Sequence, residues 1–163
     1  MFRKMRRRRQ ELSEDQCVAI LNRGTCGVLA VLGDHGYPYA VPLSYIYDNG
    51  KIFFHSAKNG HKIDAVTKDN KVSFCVTDKD QIMPVEYTTY FRSVIAFGRL
   101  RILQDETEKR AAIEKLAVRY APADSTANRN HTIKQEWDAF CMLEMTIEHM
   151  TGKEAIELVK QHE

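Results

Sequence analysis

The sequence predicts a mainly β fold, an antiparallel β-barrel closed wholly or in part, with peripheral helices. Three observations lead there. About six β-rich runs follow one another, most of them are joined by hairpin turn signals, and only a few helical patterns interrupt them. A barrel also removes the exposed edges that such a meander would otherwise present.

At 163 residues the chain fits one domain with a core that needs no staples. Apolar residues at 44% and charged residues at 28% are the balance of an ordinary globule. No apolar run reaches the ~18–20 residues of a membrane-spanning helix. None follows the basic N-terminal run either, so neither a membrane partner nor a secretory signal is expected. Cys17, Cys26, Cys75 and Cys141 are irregularly spaced and form no C-x-x-C pair. They read as reduced thiols of a cytoplasmic protein that has no metal site.

Arg3, Lys4, Arg6, Arg7, Arg8 and Arg9 make residues 1–11 a basic arm ahead of a single domain over 12–163. The whole chain carries only +2, so the body is mildly acidic. No basic-aromatic pattern follows the run. This argues against nucleic acid and for a solvated tail or an arm packed on a partner subunit.

The elements follow in order. Ser13 and Gln16 make a capping box for a helix running to about Asn22 and ended by Gly24. Residues 27–32 form an apolar strand, and 33–36 a turn. Residues 37–47 are aromatic and β-branched but carry Pro38 and Pro42, which places this strand at an edge, at a bulge, or beside something other than a strand. Asp48-Asn49-Gly50 is a hairpin turn, and 51–55 the returning strand. A polar loop, 56–60, leads into a short helix over 61–68. Strands are expected over 72–77, 87–103 and 140–147, with Gly98 marking a bulge or a close backbone approach. Residues 106–120 are an amphipathic helix ended by Pro122. Residues 123–132 read as a polar loop, and Thr151 with Glu154 as the capping box of a closing helix to Gln161.

The strand-loop-helix unit over 52–66 carries the chemistry. Free amides and the positive end of a helix dipole face outward where the helix begins, which suits a phosphate. Ser56 offers a hydroxyl, Gly60 permits close backbone approach, and Lys62 and His61 add charge. The same residues also fit an ordinary loop with an exposed lysine, and the order required of a Walker A loop is absent.

Three segments in order, V-P-L-S-Y at 41–45, F-H-S-A-x-x-G-x-K at 54–62 and S-V-I-A-F-G-R at 93–99, resemble the pyridoxamine 5'-phosphate oxidase-like flavoproteins. More narrowly the chain resembles their branch similar to nitroimidazole-resistance proteins, and the likeness spans about residues 12–153. It implies an FMN-binding split β-barrel with Greek-key-like connectivity, and a homodimer with the cofactor at the subunit interface. It implies that Val41, Pro42, Leu43 and Ser44 lie along the flavin ring. Phe54, His55, Ser56, Ala57, Gly60, His61 and Lys62 would hold the ring edge and the phosphate, and Tyr90, Arg92 and Ser93 would approach from the partner subunit. The chain departs from the oxidase itself in having His61-Lys62 where that enzyme has an R-K pair. It also has no match to the C-terminal tryptophan and arginine pattern that grips the phosphorylated pyridine.

The expected activity is therefore an FMN-dependent reduction of a small planar substrate, a nitroaromatic being one example, with His55 as the contact near the reacting centre. The flavin carries the redox chemistry and the protein supplies orientation and exclusion of water. The alternative is a non-catalytic binder of flavin or haem, with His35, His131 or His149 as a candidate axial ligand. Tyr87, Tyr90 and Phe91 form an aromatic cluster that suits stacking or barrel packing equally. Asp78, Asp80 and Glu86 are expected on the surface, and Glu144 and Glu148 are expected to be solvated.

Overall fold

A computed structural model describes residues 2–160. Its elements are β1 (Glu11–Leu12), α1 (Glu14–Arg23), β2 (Cys26–Leu32), β3 (Pro38–Ser44), β4 (Ile46–Asp48), β5 (Lys51–Ala57), α2 (His61–Lys68), β6 (Lys71–Met83), β7 (Thr88–Ile102), α3 (Glu106–Tyr120), α4 (Thr126–Glu136), β8 (Phe140–Glu154) and α5 (Ile156–Lys160). The strands form one antiparallel sheet in the order β3-β2-β6-β7-β8-β5-β4, with β1 beside β8. No helix among the described residues is long and apolar enough to cross a membrane.

The topology forces curvature. β3 and β4 stand at opposite ends of the sheet, yet Tyr45 alone separates them in the chain. Laid flat, six inter-strand gaps of ~4.8 Å would hold them roughly 29 Å apart, while one residue spans about 3.8 Å. The sheet must therefore roll up until its ends meet. β3 pairs with β2 alone and β4 with β5 alone, so the barrel is split along that seam, as the prolines of an edge strand require.

Tyr45 is fully buried at the seam. Its hydroxyl donates to the Leu21 carbonyl at 2.8 Å, and its amide donates to the Tyr120 hydroxyl at 3.1 Å. The close approach explains Gly24, since a Cβ there would lie 2.4 Å from the Tyr45 hydroxyl. Inside the barrel Phe74 meets Tyr45 and Phe54 edge-on at 4.9 and 5.0 Å. Ile20 and Leu21 of α1, and Ile63 and Val66 of α2, join this core. A second cluster, including Phe53, Phe140, Met142 and Leu116, packs beneath α3.

Local chemistry fixed several boundaries. The Ser13–Gln16 capping box forms in both directions. Asn49 and Gly50 both have positive φ, 46° and 78°, which makes the hairpin turn type I′. At Gly98 the β7–β8 register shifts, and a Cβ would lie 2.0 Å from the Thr146 carbonyl oxygen.

Elsewhere the structure corrects the sequence reading. Residues 151–154 are not the start of a helix: β8 continues to Glu154, paired to β7 and, at Gly152 and Lys153, to β1. Cys17 and Leu12 occupy the space above Gly152, so tertiary packing overrides the Thr-x-x-Glu signal. Only 156–160 are helical beyond it, and Gln161 lies outside the described residues. Residues 126–136 are a helix rather than a loop, capped by Ser125 on the Asn128 amide. Glu144 is not solvated. It is buried, accepting from Lys51 at 3.0 Å and Arg101 at 2.8 Å. Cys17 and Cys141 are buried, Cys75 half-buried and Cys26 exposed, and all four are free thiols.

Candidate functional site

β4 pairs with β5 so that Ile46 faces Phe53 and Asp48 faces Lys51. Continued one step past Tyr45, that register would set Ser44 opposite His55 and Pro42 opposite Ala57. The ladder stops at Ile46, so these residues stand instead on the two lips of the split. Pro42, Ser44, His55 and Ala57 are all exposed, while Val41 and Leu43 pack half-buried against the barrel core. Phe54 is fully buried.

One lip leads directly into the loop and α2. The Ile63 and Asp64 amides bond to the Gly60 carbonyl at 2.8 and 3.1 Å. The helix has no side-chain cap, so its first amides face outward without an intrahelical partner. Gly60 sits at φ 120°, ψ 170°, and nothing lies within 4 Å of where its Cβ would be. The result is an amide-rich, unobstructed helix start. Among the described residues neither Lys58 nor Lys62 has an ion-pair partner there.

His61 has a different engagement. Its ring stacks on Tyr39 at 4.2 Å, and Nε2 accepts the Asp34 amide at 3.3 Å. The Asp34 carboxylate lies 3.7 Å from the same nitrogen and accepts from Lys68 at 3.2 Å. Lys68 first, and then His61, hold that carboxyl below its ordinary range. His61 thus pins the β2–β3 turn to α2, leaving Lys62 as the cation at the helix start. The Ser56 hydroxyl also has a partner, the Ala57 carbonyl at 2.9 Å, and its side chain is buried on the face opposite His55.

Beneath this loop lies a cluster that nothing in the sequence marked. Lys109 of α3 is buried, donates to the Trp137 carbonyl at 2.7 Å and sits 4.0 and 4.5 Å from the Trp137 and Phe140 ring centres. Phe140 is the β8 partner of Ala57, and Cys141 the partner of Ser56. Burial pushes the Cys141 thiol up, opposed by the fields of Lys62, Lys109 and Lys58. Three ammonium groups therefore converge on the loop, one of them from below. A lysine at a polar spacing of an amphipathic helix carries no signal of such a role.

Within one chain the β7 residues, expected to approach from a partner subunit, lie away from this loop. His55–Ala57 pair with the start of β8, at Met142–Phe140, whereas Arg92 pairs with Glu154 at its end. Twelve residue steps along β8 separate the two, a path of roughly 40 Å along the strand at ~3.3 Å per residue. Arg92 is also engaged. Its Nε donates to Glu154 at 2.9 Å, and a second nitrogen lies 3.4 Å from Asp78, which Arg23 holds with contacts of 2.5 and 2.6 Å. The Arg23 hydrogen bonds, aided by Arg92, keep the Asp78 carboxyl below its ordinary range. Tyr90 donates to Glu86 at 2.9 Å, and Ser93 is half-buried.

With this geometry in view, the profile of the pyridoxamine 5'-phosphate oxidase family matches residues 13–154. The chain belongs to that family. Solved structures share the fold. A candidate 5-nitroimidazole antibiotic resistance protein from Bacteroides thetaiotaomicron has 20% identity and a TM-score of 0.70, over 88% of this chain and 85% of its own. An FAD-binding protein from Mesorhizobium loti has 24% identity and a TM-score of 0.64, over 90% and 97%. A flavocytochrome from Azotobacter vinelandii has 15% identity and a TM-score of 0.74, over 93% and 72%. Among curated proteins none matches.

Proposed function

We propose that the protein is a flavin-dependent reductase that holds FMN with its phosphate on the start of α2 and its ring in the split between β3 and β5. The observation that carries this reading is the uncapped helix start behind Gly60, standing at the end of the split with Lys62 beside it. Membership of an oxidase family, and fold relatives described as an FAD-binding protein and a flavocytochrome, support it. The flavin, when bound, supplies the electron-transfer chemistry. The chain's own groups bind and orient. The amides of α2 and the Lys62 ammonium hold the phosphate, the exposed His55 and Ser44 stand where they can hydrogen-bond ring or substrate, and the barrel core excludes water from one side. The substrate class is a small planar acceptor such as a nitroaromatic.

The reading includes a homodimer, in which Tyr90, Arg92 and Ser93 of one copy approach the β5 loop of the other. The outward face of the sheet suits one. The register aligns Pro42, Val28, Cys75 and Ile95 across four strands, with Val28 39% and Ile95 38% exposed.

Titration of purified protein with FMN and with FAD, followed by flavin fluorescence, tests the cofactor. FMN should bind, and Lys62→Ala should lose a charge-assisted bond of about 1.5–3 kcal/mol, weakening it roughly tenfold or more. Equal affinity in wild type and variant would remove Lys62 from the site, and no affinity for either flavin would end the proposal. Sedimentation of wild type against Ile95→Asp reads the dimer. Turnover of a nicotinamide donor with a nitroaromatic acceptor separates a reductase from a carrier.

A further inference from the structure

Residues 2–8 turn back over the outward side of β7 and β8. Phe2 anchors that return, with its ring 4.5 Å from the His149 imidazole and 13° from parallel, and 5.5 Å from Phe97. The other end is fixed by the single turn at Arg8–Gln10, where Gln10 is buried, and by β1 pairing with β8. Held at both ends, the arm arches over a cavity of about 340 Å³ lined by Arg3, Lys4, Arg8, Glu11 and His149, among others.

The charge of this cavity is out of balance. Arg23, Arg92, Arg99, Arg101 and Arg110 each face a carboxylate within ion-pair distance. Arg3, Lys4 and Arg8 have no ion pair among the described residues, and Glu11 is the one carboxylate beside them. Among the described residues the fold of the arm thus gathers three cations and one carboxylate on this cavity. All three are exposed to solvent, so their donors are open to an incoming anion.

We propose that this cavity is a binding site for a small phosphate-rich anion of the diphosphate or nucleotide class, separate from the flavin site. Guanidinium groups recognise phosphate through paired donors, and the ring of Phe2 holds them in place. The volume is at the small end of ligand pockets, which favours a compact anion. A surface reading a nucleic-acid backbone would spread its cations along a line instead of folding them around one hollow.

Calorimetric titration of the full chain at low ionic strength, with inorganic pyrophosphate and with ATP, tests this. One site per chain is expected. Arg3→Ala and Arg8→Ala should each weaken pyrophosphate by roughly tenfold. Phe2→Ala, which removes no charge, should weaken it comparably because the arm is released. FMN affinity should be unchanged in all three, which keeps this outcome distinct from that of the flavin site, and near-UV circular dichroism reports the fold. No binding of pyrophosphate would overturn the proposal. So would full affinity in Phe2→Ala, which would make the arm a diffuse charged tail. Tight binding of a DNA duplex that pyrophosphate cannot displace would also overturn it, in favour of a polymer surface.

Discussion

Replacing Gly60 with alanine separates the backbone's role in the loop from its role toward a ligand. At φ 120°, ψ 170° the residue occupies a region that is essentially glycine's alone. An alanine held there costs about 1–3 kcal/mol. No heavy atom lies within 4 Å of the added methyl, so strain is the whole internal effect and the fold should persist. For a domain of this size that is roughly a 2–12 °C fall in melting temperature, read by calorimetry without flavin. The methyl would stand where a phosphate must approach the α2 amides, so FMN affinity should fall roughly tenfold or more. Gly50→Ala is the control. It also has positive φ, 78°, and open space, but lies in the β4–β5 turn, so it should lose stability without losing flavin. An unchanged melting temperature for Gly60→Ala would show that the loop is not held in this conformation. Lost stability with unchanged FMN affinity would place the phosphate elsewhere.

Arg92→Met should destabilise by about 3–5 kcal/mol in urea unfolding, because it leaves the buried Glu154 carboxylate unpaired. Adding Glu154→Gln should restore much of that loss, and no rescue would refute the pairing. Asp78 titrates below its ordinary value in the folded state, so its contribution is present above the unfolded carboxylate value of about 3.8 and is lost as pH falls through the folded value. Asp78→Asn should therefore flatten the stability-pH curve below about pH 4; an unaltered acid limb would contradict that. Lys109→Met should keep the packing but orphan the Trp137 carbonyl, lowering stability by about 1–3 kcal/mol and changing the emission of the only tryptophan. Wild-type fluorescence would argue against the cation's position over the ring.

What could be read from the sequence was local. Ser13 and Gln16 announced α1, Asn49-Gly50 announced the hairpin, and Pro38 and Pro42 announced an edge strand, each because a few adjacent atoms decide the conformation. The residues of the two lips were named instead from the resemblance of three segments to a family. Long-range packing was not legible. Thr151 and Glu154 mimic a helix cap, yet β7 pairs with both and β1 with Gly152 and Lys153 between them, and α4 has so few buried side chains that only Ile133 marks its inward face. The engagements of His61 with Asp34, of Arg92 with Glu154 and of Lys109 with Trp137 join residues 27, 62 and 28 positions apart, and no spacing rule reaches that far.

The seam at Tyr45 has a mechanical consequence. Along every other boundary of the barrel, separating neighbours means breaking a backbone ladder. At the seam the side-chain bonds are those of two tyrosines, Tyr45 on the Leu21 carbonyl of α1 and Tyr120 on the backbone of Tyr45 and Thr25. Among the described residues no backbone ladder runs between the lips at Ser44 and His55, so the edge of β3 away from β2 keeps its peptide groups outside the sheet. Amide exchange should therefore be fastest on the outer edge of β3.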